Sequence, residues 1–386
     1  MPGQILWKTG EGYGGIDSFL ADNHIKSIFL VCDGAIGFLE IDHYFRELPD
    51  RLGIAVERFM EFQPNPQYES VVEGVRRFRE RRRDAVFAVG GGSAMDVAKC
   101  IKLYADMDSA GNYLEQPIIP NDIPLFAVPT TAGTGSEATK YAVIYYNDKK
   151  QSIADDNCIP AAVFLDADVL RTLPSYQKKS TMLDAFCHAI ESFWSIHSTE
   201  ESRAYAAEAL RLILADLDSY LANEGVGNAN MLYAAHLAGK AINITQTTAG
   251  HAMCYKLTSL YGIAHGHAAA LCVDALWPYM LEHTGDSVDS RGKHFLKKAF
   301  SDLGHAMGCS DATEAARMFH LLLQRMEIYA PAMKDREDME ILVHSVNPVR
   351  LKNNPVRLSG DSIRHLYQKI LHLEETGLDG EESKYD

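Results

Sequence analysis

The sequence predicts an α/β domain built on a parallel sheet, followed by an all-α domain. Three observations carry this reading. The first ~175 residues alternate short Val-, Ile- and Phe-rich runs with helical stretches. After Pro174 the chain turns Ala- and Leu-rich with a 3.6-residue period. No long linker separates the two textures. The expected domains are therefore 1–175 and 176–386, in keeping with a soft prior of about 100–200 residues per domain.

Five runs read as strands: "SIFLVCD" (27–33), "DAVFAVGGG" (84–92), "PLFAVPTT" (124–131), "KYAVIYY" (140–146) and "AVFLDAD" (162–168). Between two of them, "YESVVEGVRRFRERR" (68–82) sets Val71, Val75 and Phe78 on one helical face. Strand–helix–strand alternation implies a parallel sheet covered on both faces. In the second half, "TMLDAFCHAIESFWSI", "ESRAYAAEALRLILADLDSYLAN" and "MLYAAHLAGKAINI" read as helices of a bundle.

A net charge of -15 argues against broad binding to nucleic acid or an anionic membrane. The basic run "VRRFRERRRD" (75–84) has apolar residues at helical spacing, so it reads as the solvated face of a helix. No apolar run approaches the ~20 residues of a membrane span. The start shows no secretory signal, and the seven cysteines are scattered without a C-x-x-C pair. Free thiols in a reducing cytoplasm are the expectation.

Two glycine clusters compete for a nucleotide phosphate. "GEGYGG" (10–15) fits G-x-G-x-x-G, but the preceding "QILWKTG" is short and half polar, a poor inner strand. "DAVFAVGGGSAMDVAK" runs a clearly apolar strand through three glycines into a helix, with Ser93 adding a hydroxyl. Glycine permits close backbone approach, and the helix N-terminus offers free N–H groups. A third segment, "VPTTAGTGSE" (128–137), sets Thr130, Thr131, Thr134 and Ser136 after another strand, where they suit phosphate, ribose or amide groups. A ligand-free turn remains the alternative for each loop.

The helical half holds candidate metal ligands. Asp184 and His188 are four residues apart and share a helix face. His251, His265 and His267 follow in "TTAGHAMCYKLTSLYGIAHGHAAA". A carboxylate with two or three imidazoles suits a divalent ion such as Fe²⁺ or Zn²⁺.

As a set, "GGGSAMDVAK", "VPTTAGTGSE", "DAFCHAIES" and "GHAMCYKLTSLYGIAHG" resemble the iron-containing (group III) alcohol dehydrogenases nearly end to end. The resemblance implies a Rossmann-like dinucleotide-binding domain followed by a helical metal-binding domain, the dehydroquinate synthase-like fold. It implies Asp184, His188, His251 and His265 as metal ligands, with the fourteen-residue spacing of the last two matching the family and His267 outside its pattern. It implies Gly91, Gly92 and Ser93, with Asp96 behind, as the pyrophosphate loop. Thr130, Thr131, Thr134 and Ser136 become contacts to the adenine and nicotinamide ends, and Lys150 a further cofactor contact. "GEGYGG" then becomes the turn into the first helix. Asp33 can accept from the ribose hydroxyls and would repel a 2′-phosphate, which favours NAD over NADP. Many members carry a second histidine four residues after the third ligand; here Tyr255 stands there, a candidate proton carrier or a residue that only shapes the pocket.

The implied activity is metal-dependent hydride transfer between NAD and a small aldehyde or alcohol, by an enzyme for which a homodimer is plausible. Within the family, "TTAGHAMCYKLTSLYGIAHGHAAALC" and "VNPVRLKNNPVRL" are similar to the phosphonoacetaldehyde reductase branch. Arg350, Lys352 and Arg357 offer cations for a phosphonate, or form a basic surface loop. Dehydrogenation of small neutral alcohols (propanediol, butanol or glycerol type), a dehydroquinate-synthase-like lyase and a metal-stabilised nucleic-acid binder are the alternatives.

Overall fold

The computed structural model describes residues 4–9, 12–147, 149–335 and 337–372. Eight strands lie in the first half: β1 (Ile5–Thr9), β2 (Ser27–Cys32), β3 (Ala55–Phe59), β4 (Ala85–Gly90), β5 (Leu125–Pro129), β6 (Tyr141–Tyr146), β7 (Lys149–Ala154) and β8 (Ala162–Asp166). Six form one sheet in the order β1-β8-β5-β4-β2-β3, every neighbouring pair parallel. The inner strands β4, β5 and β8 are buried along their whole length, which is why they read as unbroken apolar runs.

"KYAVIYY" departs from the expected parallel sheet. As β6 it pairs antiparallel with β7 in a separate two-stranded hairpin. "GEGYGG" follows β1, an edge strand whose one sheet partner is β8. Gly10 and Glu11 lie outside the described residues, and Tyr13 precedes the helix α1 (Gly14–Asp22).

The chain passes from β2 outward to β3, then crosses back to β4 and continues to β5 and β8 on the other side. The carboxyl ends of β2 and β4 therefore flank the point where the winding reverses. In open α/β sheets this is where the crevice for a ligand forms. Asp33 follows β2 there, and Gly91 follows β4.

Helices α2 (Glu40–Leu52), α3 (Tyr68–Glu80) and α4 (Gly92–Tyr104) complete the layers of this unit. Helix α4 is buried on nearly every side because it packs against β4 and β5, against α3 and against β6. The arginines of the basic run are largely engaged. Arg76 pairs with Glu73 and Glu80, Arg77 and Arg83 with Glu57, and Arg82 with Asp106, while Arg79 donates to the carbonyls of Tyr104 and Ala105.

The remaining helices are α5 (Ser175–Trp194), α6 (Glu200–Leu221), α7 (Gly225–Thr245), α8 (Ala249–Tyr261), α9 (His265–Glu282), α10 (Gly292–Ala306), α11 (Ala312–Arg325), α12 (Glu337–Ser345), α13 (Pro348–Leu351) and α14 (Gly360–Ile370). Two compact units result: Met1–Lys178 with Asp216–Asn243, and Lys179–Ala215 with Ile244–Asp386. A single cut after residue 175 does not describe this division. Residues 216–243 join the first unit through specific contacts. Lys8 Nζ sits 3.4 Å from the Tyr233 ring centroid, His236 lies 3.4 Å from Glu137, and Asn243 accepts from the Lys140 amide at 2.9 Å. Apolar periodicity reports a helix but not the layer it covers.

Candidate functional site

Two groups of residues carry the chemistry, one in each unit. In the first unit, the loops after β4 and β5 are brought together. Thr130 N donates to Gly90 O at 3.0 Å. A Cβ on Gly91 would lie 3.5 Å from Thr131, and one on Gly92 would lie 3.1 Å from Thr134. Gly91 occupies the N-cap position of α4 and has no side chain to satisfy the first-turn N–H groups. Gly91, Gly92, Ser93, Thr130, Thr131 and Thr134 are all partly open to solvent. Asp33 Oδ1 accepts from Ala35 N at 2.9 Å, and its Oδ2 lies 3.5 Å from where a Gly90 Cβ would stand. The carboxylate is thus held beside the glycine loop after β4.

Ser136 departs from its expected role as a cofactor contact. It is buried, its hydroxyl donates to Asp96 Oδ1 at 3.1 Å, and its Oγ accepts from Lys99 Nζ at 3.1 Å. Lys99, which the sequence reading passed over, is wholly buried and is the brace of the loop. Its ammonium also donates to the carbonyls of Ser136 (2.6 Å), Thr139 (2.8 Å) and Tyr141 (2.7 Å). Burial pulls the Lys99 pKa down against the opposing pull of Asp96. Burial likewise pushes Asp96 up to about 6, while the charges of Lys99 and Lys150 pull the other way. Lys150, on β7, therefore lies within electrostatic reach of Asp96.

In the second unit, α5 presents Asp184, His188 and Glu191 along one face. His251 sits in the first turn of α8, and His265 begins α9. Three Nε2 atoms surround Asp184 Oδ1: His251 at 3.3 Å, His265 at 3.7 Å and His188 at 3.8 Å. Asp184, His188 and His251 are buried, with ligand atoms all within 4.8 Å of one another. His265 is the open member, its side chain 38% exposed. Gly250 and Gly266 allow this convergence. A Cβ on Gly250 would stand 2.7 Å from Val273 Cγ2, and one on Gly266 would stand 2.8 Å from Asp184 Cβ.

Burial alone would raise the Asp184 pKa. The charges of His188 and His265 and the hydrogen bond from His251 outweigh it and hold the carboxyl well below its usual range. Among the described residues its ion-pair partners are these three imidazoles. A buried carboxylate ringed by imidazoles, with no lysine or arginine to neutralise it, is a donor set that a divalent ion fits.

Glu191 went unassigned in the sequence, although it lies within "DAFCHAIES". It is fully buried, and its Oε2 pairs with His251 Nδ1. Its Oε1 accepts from Thr248 Oγ1 (2.5 Å) and Thr248 N (3.1 Å), at the N-terminus of α8. The carboxylate thereby fixes the His251 ring with Nε2 directed toward Asp184. A carboxylate three residues after His188 on the same helix face was the available signal. His267, by contrast, is bonded through Nε2 to Tyr329 O at 2.9 Å. Tyr255 stacks on His265 (centroids 5.4 Å, 28°), and its hydroxyl accepts from Arg350 Nη1 at 2.9 Å.

Fold and site together define an α/β unit on a six-stranded parallel sheet joined in one chain to a helical unit with a buried Asp/His cluster. The sequence profiles described as "Iron-containing alcohol dehydrogenase" and "Fe-containing alcohol dehydrogenase family, C-terminal" match residues 9–167 and 178–371. The chain belongs to the iron-containing alcohol dehydrogenase family and is an oxidoreductase of that type. It is 33% identical over 266 residues to phosphonoacetaldehyde reductase of Streptomyces viridochromogenes, covering 65% of this chain and 67% of that protein. It is 30% identical over 303 residues to NAD-dependent methanol dehydrogenase of Bacillus methanolicus, covering 75% and 77%. A solved sulfoacetaldehyde reductase from Bifidobacterium kashiwanohense, in complex with NAD+, superposes with a TM-score of 0.83 at 26% identity, covering 95% of this chain and 97% of that one.

Two outcomes follow from this geometry. Lys99→Met strands buried carbonyls and should lower stability by about 1–3 kcal/mol in urea titration. Glu191→Gln should weaken Zn²⁺ affinity about 10- to 100-fold by competition with a chelator, as expected when an outer-shell partner of a ligand is lost.

Proposed function

We propose that this chain carries out NAD-linked, divalent-metal-dependent interconversion of a short aldehyde and its alcohol, and that reduction of phosphonoacetaldehyde to 2-hydroxyethylphosphonate is its reaction. The observation that carries the reading is the convergence of His188, His251 and His265 on the buried carboxylate of Asp184. These four side chains would hold the ion. Three neutral imidazoles and one carboxylate leave a divalent ion net positive and accommodate both Fe²⁺ and Zn²⁺. When bound, the ion supplies Lewis acidity to a carbonyl or alcohol oxygen, and the nicotinamide supplies or accepts the hydride.

The chain's own residues do the positioning. Gly91, Gly92 and Ser93 offer first-turn N–H groups to a pyrophosphate at the start of α4. Thr130, Thr131 and Thr134 extend that surface with hydroxyls, and Asp33 accepts from ribose hydroxyls, which selects NAD over NADP. Glu191 holds the tautomer of His251. Tyr255 Oη accepts from Arg350 and its ring stacks on His265, which places it beside the cluster as the candidate proton carrier. Similarity to a phosphonoacetaldehyde reductase supports the substrate, while similarity to a methanol dehydrogenase supports the second reading, a small neutral alcohol. A reducing cytoplasm fits the seven free cysteines. Among the described residues no helix is long and apolar enough to cross a membrane.

The test follows NADH absorbance in the Zn²⁺- or Fe²⁺-loaded protein with phosphonoacetaldehyde, propanal and glyceraldehyde. NADH oxidation with phosphonoacetaldehyde, abolished by a chelator and reduced at least about 100-fold in Asp184→Ala, is the expected result. Turnover of the neutral aldehydes alone would remove the phosphonate substrate. An absence of turnover with any aldehyde would contradict the reading.

A further inference from the structure

We propose that Arg350 is a specificity-determining residue that recognises a tetrahedral oxyanion, phosphonate or sulfonate, carried by the aldehyde next to its reacting carbonyl. The inference rests on reading Asp184, His188, His251 and His265 as the reaction centre.

Three observations carry it. First, Arg350 is tied directly to that centre. Its Nη1 donates to Tyr255 Oη at 2.9 Å, its guanidinium carbon lies 5.1 Å from the Tyr255 ring centroid, and that ring stacks on His265. The path runs from the most exposed of the three imidazoles to a cation in two steps. Lys352 and Arg357, the other cations of the segment, are exposed, and the described residues give their side chains no link to Tyr255 or His265.

Second, Arg350 has no carboxylate partner among the described residues. Arg51, Arg58, Arg76, Arg77, Arg83 and Arg291 each meet an Asp or Glu. Arg350 spends one nitrogen on a neutral phenol and keeps its remaining N–H donors for another acceptor. The planar fork of a guanidinium matches two oxygens of a tetrahedral anion at once.

Third, the segment that presents Arg350 is anchored. Asn347 caps α13 by accepting from Val349 N at 2.9 Å, and α13 packs on α8, the helix that carries His251 and Tyr255. Behind it, buried Asn353 donates to Gln246 Oε1 (3.0 Å) and Thr247 O (3.2 Å) and accepts from Ile196 N (3.1 Å). Buried Asn354 donates to Val356 O at 2.7 Å, and Val288 N donates to Pro355 O at 2.8 Å. A loop fastened in this way holds its cation in place before a ligand arrives, so less ordering entropy is lost on binding.

The experiment compares the Zn²⁺-loaded protein with its Arg350→Gln and Arg350→Lys variants in two readouts. In turnover, the ratio of kcat/KM for phosphonoacetaldehyde to that for propanal should fall about 10- to 100-fold in Arg350→Gln, chiefly through KM, with partial recovery in Arg350→Lys. Sulfoacetaldehyde run in parallel separates a dianionic from a monoanionic preference. In calorimetry, ethylphosphonate, which cannot react, should bind the parent protein and lose affinity by a similar factor in Arg350→Gln. An unchanged aldehyde ratio, unchanged ethylphosphonate binding, or a rise confined to the KM of NADH would overturn the proposal, the last by assigning Arg350 to the cofactor's phosphates. Calorimetry needs no turnover, so failure of the dehydrogenase reading and failure of the anion reading give different results.

Discussion

Two carboxylates, Asp184 and Glu191, are buried on one helix whose neighbouring positions are among the most apolar in the chain. Met182, Leu183, Ala185, Phe186, Cys187, Ala189 and Ile190 are fully buried beside them. Ionised groups in such surroundings are stable only with dedicated partners. Asp184 takes three imidazoles, and Glu191 takes His251 together with the N-terminus of α8. Helices α8 and α9 must both begin against α5, and glycines 250 and 266 make that approach sterically feasible. Cluster geometry and helix packing are therefore one constraint viewed from two sides. A divalent ion held there would complete it by supplying positive charge that would otherwise have to come from protonated histidines.

The first unit solves a related problem with a lysine. The loop after β5 and the start of β6 carry carbonyls that face inward, and Lys99 of α4 satisfies three of them. The glycines after β4 can then stay free of side chains where a phosphate would approach. Strand order places this arrangement, with Asp33, at the reversal of winding rather than at the sheet edge where "GEGYGG" lies. Topology thereby supports the cluster after β4, one of two that composition alone leaves in contention.

Legibility in the sequence followed burial. The inner strands were plain because both faces are covered and nearly every position is apolar. β3, "AVERF", was missed because as an edge strand it carries Glu57 and Arg58, each engaged in ion pairs. β7, "KKQSIA", was missed for a like reason, since it is rich in polar residues and none of its positions is buried. Among the site residues, the metal-ligand types stood out by chemistry and spacing. Glu191 and Lys99 did not, because a buried charge reveals itself only once its partners are seen. Ser136 was read as a ligand contact because a hydroxyl in a glycine-rich loop does not show which way it turns.

Arg350 illustrates the same limit from the other direction. In the sequence it is one of three cations in a short segment; in the fold its bond to Tyr255 sets it apart from the exposed Lys352 and Arg357. The account rests most heavily on the Asp184 cluster as a mononuclear metal centre. Its most direct test is anomalous diffraction from crystals grown with Zn²⁺. A single strong peak within bonding distance of Asp184, His188, His251 and His265 is the predicted result. A peak elsewhere, or none at these four side chains, would contradict the account.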